Sequence, residues 1–264
     1  MKHAREGGPV RYRARVEYDG TEFAGFQAQP GRRTVPGELE RALAHLSGGP
    51  RIRIDAAGRT DAGVHASGQV IAFTWTGSMT ARQLGPAIGA LLPPDVAIRP
   101  LVRVALDFDP RRAATRREYR YSIWTGPRSP LRSRYRYELD ERLDVEAMQA
   151  AARHLVGRHD FSAFGRVQNT ASRTLYEVRL KRRGHLVTID VVCDAFLRQM
   201  VRSIVAALIR IGMGRATAED LVRELGSPGR AFAGSVAPVQ GLCLRRVTIG
   251  PPRTRDDKEV RQRP

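Results

Sequence analysis

One stretch of the chain gathers several residue types able to do chemistry. Residues 57–69 read AGRTDAGVHASGQ: three glycines around an Arg-x-Asp pair, a His and a Gln, directly ahead of a β-branched and aromatic run. Glycines permit a sharp turn, and such a turn can hold one carboxylate out over a sheet, which makes Asp61 a candidate nucleophile or base. Aspartate in a Gly-rich loop also forms turns by bonding its own backbone, so composition alone leaves both readings open. His65 has no second ligand or nucleophile near it in sequence and reads as a hydrogen-bonded loop residue rather than a catalytic one.

A second concentration lies at positions 111–136. It holds nine arginines, among them Arg111, Arg116, Arg117 and Arg120, against the single acid Glu118. Tyr119, Tyr121, Trp124, Tyr135 and Tyr137 are interleaved with them. Guanidinium groups grip phosphates with a two-pronged donor fork, and aromatic faces stack on unpaired bases, so this is a candidate RNA-binding region. Strand alternation would put Arg120 and Tyr121 on opposite faces, which assigns part of the aromatic set to a core.

The balance of the whole chain agrees with a polyanionic partner. Its 264 residues carry 45 Lys and Arg against 27 Asp and Glu, a formal charge of +18, and only Lys2, Lys181 and Lys258 are lysines. RNA fits that charge and that preference for arginine. Cys193 and Cys243 are too few for a disulfide framework and are not spaced like a zinc site. The histidines show no metal-ligand spacing, and no phosphate-cradling glycine motif opens a helix, so no metal or nucleotide cofactor is expected. No apolar run is long enough to cross a bilayer and no signal core is present, which points to the cytoplasm and away from membranes.

The elements that must position these residues follow from periodicity and punctuation. Strands are expected at 10–18, 51–55, 68–76, 96–106, 117–124, 173–182, 185–193 and 242–249. Helices are expected from about 36 to a stop at Gly48-Gly49 with Thr34 as cap, and at 80–92, 144–155, 196–211 and 217–225. This predicts an α+β protein in two similar halves, 10–110 and 111–250, each a mostly antiparallel sheet with helices on one face. Residues 1–9 and 251–264 read as a flexible arm and a charged tail.

The loop also resembles something known. GRTDAGVHASGQV is similar to the catalytic-loop signature of the tRNA pseudouridine synthase A family. Further motifs occur in family order over about residues 10–249: EYDGTEFAGFQAQP with TVPGELERAL, LPPD at 92–95, RREYRYSIW, HDFSAF at 159–164, FLRQMVRSIV at 196–205 and GLCL at 241–244.

The resemblance implies the pseudouridine synthase fold with an active-site cleft between its halves. It further implies a homodimer whose two subunits share one tRNA, with no DNA partner, and isomerisation of uridines 38, 39 and 40 of the anticodon stem-loop without cofactor or metal. By the same resemblance Asp61 is the catalytic aspartate, Arg202 its arginine partner, and Arg59 the residue that helps displace the base. Tyr119 stacks on the uracil, with a role as the base that removes the C5 proton also open to it, and Leu242 lines an apolar pocket. The sequence departs from the usual pattern at Ala24 and Phe26 (commonly His and Trp), Asp109-Pro110 (His-Ala), Ser203 (Asn) and Asn169-Thr170 (Cys nearby). A synthase with other RNA targets and a non-catalytic basic RNA-binding protein both remain open at this point.

Overall fold

The computed structural model describes residues 8–167, 170–225 and 236–250. The expected tail, Asn169 and all of the expected arm except Gly8 and Pro9 lie outside the described residues. Strand β1 (Val10–Tyr18) alternates apolar and arginine side chains and pairs antiparallel with β3 (His65–Trp75). Between them, helix α1 (Val35–Ser47) starts where the Thr34 hydroxyl accepts the Gly37 amide at 3.3 Å and stops at Gly48, whose φ of +59° suits glycine. Only Asp55 of the expected 51–55 strand enters the sheet, in β2 (Asp55–Ala56) on β3. Arg51 and Arg53 turn instead to the carboxylates of Glu40 and Asp55.

After α2 (Ala81–Leu91), the stretch expected as one strand at 96–106 divides into β4 (Val96–Ile98) and β5 (Val102–Val104), both on β1. Pro100 stands between them and has no amide hydrogen to give the ladder. The short helix α3 (Pro110–Ala113) leads into β6 (Ala114–Trp124). Then come α4 (Pro130–Ser133), β7 (Tyr137–Glu138), α5 (Val145–Arg153) capped by Asp144, β8 (Gly157–Asp160), and β9 (Ser172–Arg183) with β10 (Leu186–Cys193) across a turn at Gly184. Helices α6 (Met200–Gly212) and α7 (Ala218–Glu224) precede β11 (Leu242–Ile249).

The strands form one eleven-stranded sheet in the order β4-β1-β3-β11-β6-β10-β9-β8, with β2, β5 and β7 attached to β3, β1 and β6. The two expected sheets are therefore continuous. Their junction is β11, the last strand in sequence, antiparallel to β6 and parallel to β3 through Cys243 opposite His65 and Leu244 opposite Ala66. Buried side chains gather in two cores, one around Leu39, Leu43 and Phe73, the other around Tyr121, Phe161, Phe164 and Leu208. Tyr119 packs against both.

Helix α6 starts four residues later than its apolar spacing predicts. Gln199 has φ of +68°, the one left-handed non-glycine among the described residues, and it breaks the helical path ahead of Met200. Phe196, Leu197 and Arg198 are consequently free of the helix, and two of them reach the site.

Candidate active site at the junction of the halves

Asp61 stands on the loop that joins β2 to β3. The buried hydroxyls of Tyr18 and Thr60 share a hydrogen bond of 2.8 Å beneath it. The Phe26 amide donates to the Thr60 carbonyl at 3.0 Å, the Gly63 amide to the Phe23 carbonyl at 3.3 Å, and the Val64 amide closes a turn on the Asp61 carbonyl at 3.2 Å. Gln69, with no exposed surface, donates Nε2 to the Gly58 carbonyl at 2.9 Å. Two glycines let the 20–26 segment approach this closely. A Cβ on Gly20 would lie 2.0 Å from the Val64 oxygen, and one on Gly25, at φ +96°, 2.8 Å from the Thr60 oxygen.

His65 belongs to this support. The Gly20 amide donates to its Nδ1 at 3.1 Å, and its Nε2 lies 3.2 Å from the Arg134 carbonyl, so both ring nitrogens are occupied by the backbone. Asp19 binds Arg134 at 2.6 Å and accepts from the Tyr135 phenol at 2.9 Å, which draws the 129–136 segment onto the base of the loop. Burial pushes the Asp19 carboxyl up, but hydrogen bonds from Thr21 and Tyr135 and the nearby His65 outweigh it and hold the pKa down to about 2.

The other half supplies the opposite wall. Tyr119 on β6 lies across from Leu244 on β11, and its ring meets Phe196 edge-on at 5.2 Å. Burial drives the Tyr119 phenol well above its ordinary pKa, Arg117 opposes this, and the negative charge of Asp61 pushes in the same direction as burial. Leu242 is buried at the head of β11 opposite Tyr121, so Leu244 rather than Leu242 shares a rung with Tyr119.

Two guanidinium groups act on Asp61. Arg198 makes the direct ion pair, Nε to Oδ1 at 3.5 Å. Arg202, in the first turn of α6, donates Nε to the Ala237 carbonyl at 2.6 Å, and the Ala237 amide donates back to the Arg202 carbonyl at 3.1 Å. Burial lowers the Arg202 pKa while the charge of Asp61 raises it. Arg202 thus acts on Asp61 through space, and the direct pairing expected of it is made by Arg198.

The remaining expected residues divide. Arg59 is exposed and donates to the Gln27 side chain at 3.1 Å. Arg111 and Arg116 are exposed, Arg116 lying 4.2 Å over the Tyr176 ring. Arg117 and Arg120, by contrast, are engaged by the chain itself. Arg117 donates to the carbonyls of Ala57 at 2.7 Å and Asp194 at 2.6 Å, and burial lowers its pKa. Arg120 grips Asp190 with two bonds of 2.7 and 2.9 Å. Arg117 thus acts as a strut between the halves, while Arg120 pairs with Asp190 and keeps a side chain that is 39% exposed.

The departures from the family pattern also find places. Phe26 is buried against Tyr18 beneath the loop. Asp109 caps α3 by accepting the Arg111 and Arg112 amides, and Ser203 is buried inside α6. Arg198, Phe196 and the Tyr18–Thr60–Gln69 support were not foreseen. All of them lie in motifs that carry the family resemblance, but Gln69, an amide beside an apolar run, is the one whose residue type itself called for a buried partner.

A cavity of about 510 Å³ lies between the Ser47–Asp55 stretch and the Trp75 end of β3. Asp61 and the other residues of its loop are not among those lining this cavity. The described residues hold no group of three or more His, Cys, Asp and Glu arranged for a metal ion.

A family profile described as tRNA pseudouridine synthase matches residues 14–111 and 151–248. The chain is 41% identical over 246 residues to the tRNA pseudouridine synthase A of Shouchella clausii (strain KSM-K16), an alignment covering 92% of this chain and 94% of that one. It is 42% identical over 236 residues to the protein of that name from Geobacter sulfurreducens (88% and 96% covered), and 42% over 249 residues to that of Myxococcus xanthus (92% and 94%).

Proposed function

The chain belongs to the tRNA pseudouridine synthase family, and from that premise we propose that it isomerises uridines 38, 39 and 40 of the tRNA anticodon stem-loop, with Asp61 as the nucleophile. The observation that carries this reading is the convergence at the β3–β11–β6 junction, where a carboxylate meets a protonated phenol and two guanidinium groups. Isomerisation breaks the bond from uracil N1 to the ribose, turns the base and rejoins it through C5. The C5 hydrogen leaves to water and N1 gains a proton, so atoms balance without an external reagent. What the site must supply is a placed carboxylate and a surface for the base.

Asp61 provides the electron pair. Arg202 keeps a positive charge near it in a partly buried place, and the charge of Asp61 in turn raises the Arg202 pKa against burial. A paired uridine must first leave its stack, at a cost of a few kcal/mol, and the exposed Arg59 two residues from Asp61 is placed to fill the vacated space. Tyr119 offers its ring to the extruded base, and its phenol, held protonated by burial, stands where proton transfer at C5 would occur. Leu242 and Leu244 line the apolar side. Arg111 and Arg116 hold exposed charge for the phosphates. The working form is a cytoplasmic homodimer that holds one tRNA across both subunits. No helix among the described residues is long and apolar enough to cross a membrane.

The test is release of tritium from tRNA labelled at uridine C5, run beside Asp61→Asn and a tRNA lacking uridines at the three positions. Release by the native chain, absent in both controls, is the expected result. Tight tRNA binding without release would reduce the chain to an RNA-binding relative, and release from the substituted tRNA would move the target elsewhere.

A further inference from the structure

The direct partner of Asp61 is Arg198, and the manner of its attachment sets it apart from Arg202. Arg202 is locked: half-buried, it is bonded to Ala237 in both directions between side chain and backbone. Arg198 has a backbone held by hydrogen bonding and a side chain open to solvent. Its carbonyl accepts the Arg166 amide at 3.1 Å, and the left-handed turn at Gln199 ends the extended segment just beyond it. Its guanidinium side chain is 58% exposed, and it holds a carboxylate that is itself 31% exposed, at 3.5 Å. An ion pair this open to water is weak and is easily exchanged for another anion. The natural competitor is a phosphate diester, which accepts the two-pronged fork of a guanidinium. A nucleotide turned out of its stack toward Asp61 carries its own phosphates to the mouth of the cleft, where Arg198 lies.

We propose that Arg198 is a positioning residue that changes partners: it holds Asp61 in the unliganded protein and passes to a backbone phosphate when the RNA enters, releasing the carboxylate to the extruded base. Arg202 then remains as the cation beside Asp61. The inference rests on the synthase reading for the identity of the RNA. The exchange divides two jobs that one arginine could not do together, restraining a nucleophile before substrate arrives and gripping the substrate afterwards.

The test compares the full-length native chain, Arg198→Ala and Arg198→Lys in tRNA binding between about 50 and about 200 mM salt, and in steady-state tritium release. In Arg198→Ala the slope of log affinity against log salt should become shallower by about one, as expected for one lost phosphate contact. KM should rise about three- to tenfold, with most of the loss of kcat/KM lying in KM. Arg198→Lys, which keeps the charge, should retain the slope and recover most of the KM. An unchanged slope and KM in Arg198→Ala would overturn the exchange. A fall in kcat at constant KM would also overturn it, as Arg198 would then stay on Asp61 throughout the reaction. Binding without release by the native chain would sink the synthase reading alone, because the salt slopes still decide whether Arg198 meets a phosphate.

Discussion

The Nη2 of Arg117 lies 2.7 Å from the carbonyl oxygen of Ala57, so a side chain on β6 of the second half grips the base of the Asp61 loop in the first. Its Nη1 bonds the Asp194 carbonyl at 2.6 Å, tying in the turn after β10. One partly buried cation thereby joins the elements that converge on the site.

Arg117→Ala should destabilise the protein by about 3 kcal/mol, since it leaves buried carbonyls without donors. Urea unfolding measures the loss. Turnover should fall with stability, whereas the salt slope of tRNA binding should stay unchanged, which distinguishes a strut from a phosphate contact.

Gly25→Ala should cost about 2 kcal/mol, because a side chain at φ +96° is strained and its Cβ would press on the Thr60 carbonyl at 2.8 Å. The Thr60 carbonyl also receives the Phe26 amide, so the loop must shift. A lowered melting temperature together with a disproportionate loss of tritium release is the expected pair of results.

Arg202→Met should lower kcat by about 100-fold or more and leave tRNA affinity within about threefold, since the charge it removes acts on Asp61 from inside the protein. Single-turnover release and filter binding separate the two effects. A loss confined to binding would place Arg202 on the RNA instead.

Acid should destabilise the protein in part through Asp19. Its pKa falls from 3.8 to about 2 on folding, so the native state binds fewer protons, and the stability it contributes is present above about pH 4 and lost as pH drops toward 2. Denaturant unfolding from pH 5 to pH 2 should show a shallower decline in Asp19→Asn.

Alkali acts through buried phenols. Tyr18, Tyr119 and Tyr121 are all raised well above 10 by burial. The folded chain keeps protons there that the unfolded chain releases, so stability should fall as pH rises past 10. Absorbance near 295 nm should show these three tyrosines ionising only with unfolding, and Tyr119→Phe should leave the titration below pH 10 unchanged.

Much of the architecture is local and therefore legible in one dimension. The alternation in 10–18 and the Thr34 cap are consequences of strand and helix geometry that neighbours alone satisfy, and both appear in place. The Asp61 loop was visible for the same reason, because a run of glycines around a carboxylate declares a turn whatever surrounds it. The partners of that carboxylate were not. Arg202 and Arg198 are four residues apart in an apparently continuous helical pattern, and only the left-handed turn at Gln199, paired with the strand-like bridge to Arg166, frees Arg198 to reach Asp61. Alternation in RREYRY sets Arg117 on the face of Tyr119 and Tyr121 and Arg116 on the other, but does not show that the Arg117 guanidinium reaches the Ala57 carbonyl. The identities of side chains set what chemistry was available. The insertion of the last strand between β3 and β6 decided which of them meet, since contacts between residues more than a hundred positions apart depend on the whole sheet closing and leave no periodic trace in the sequence.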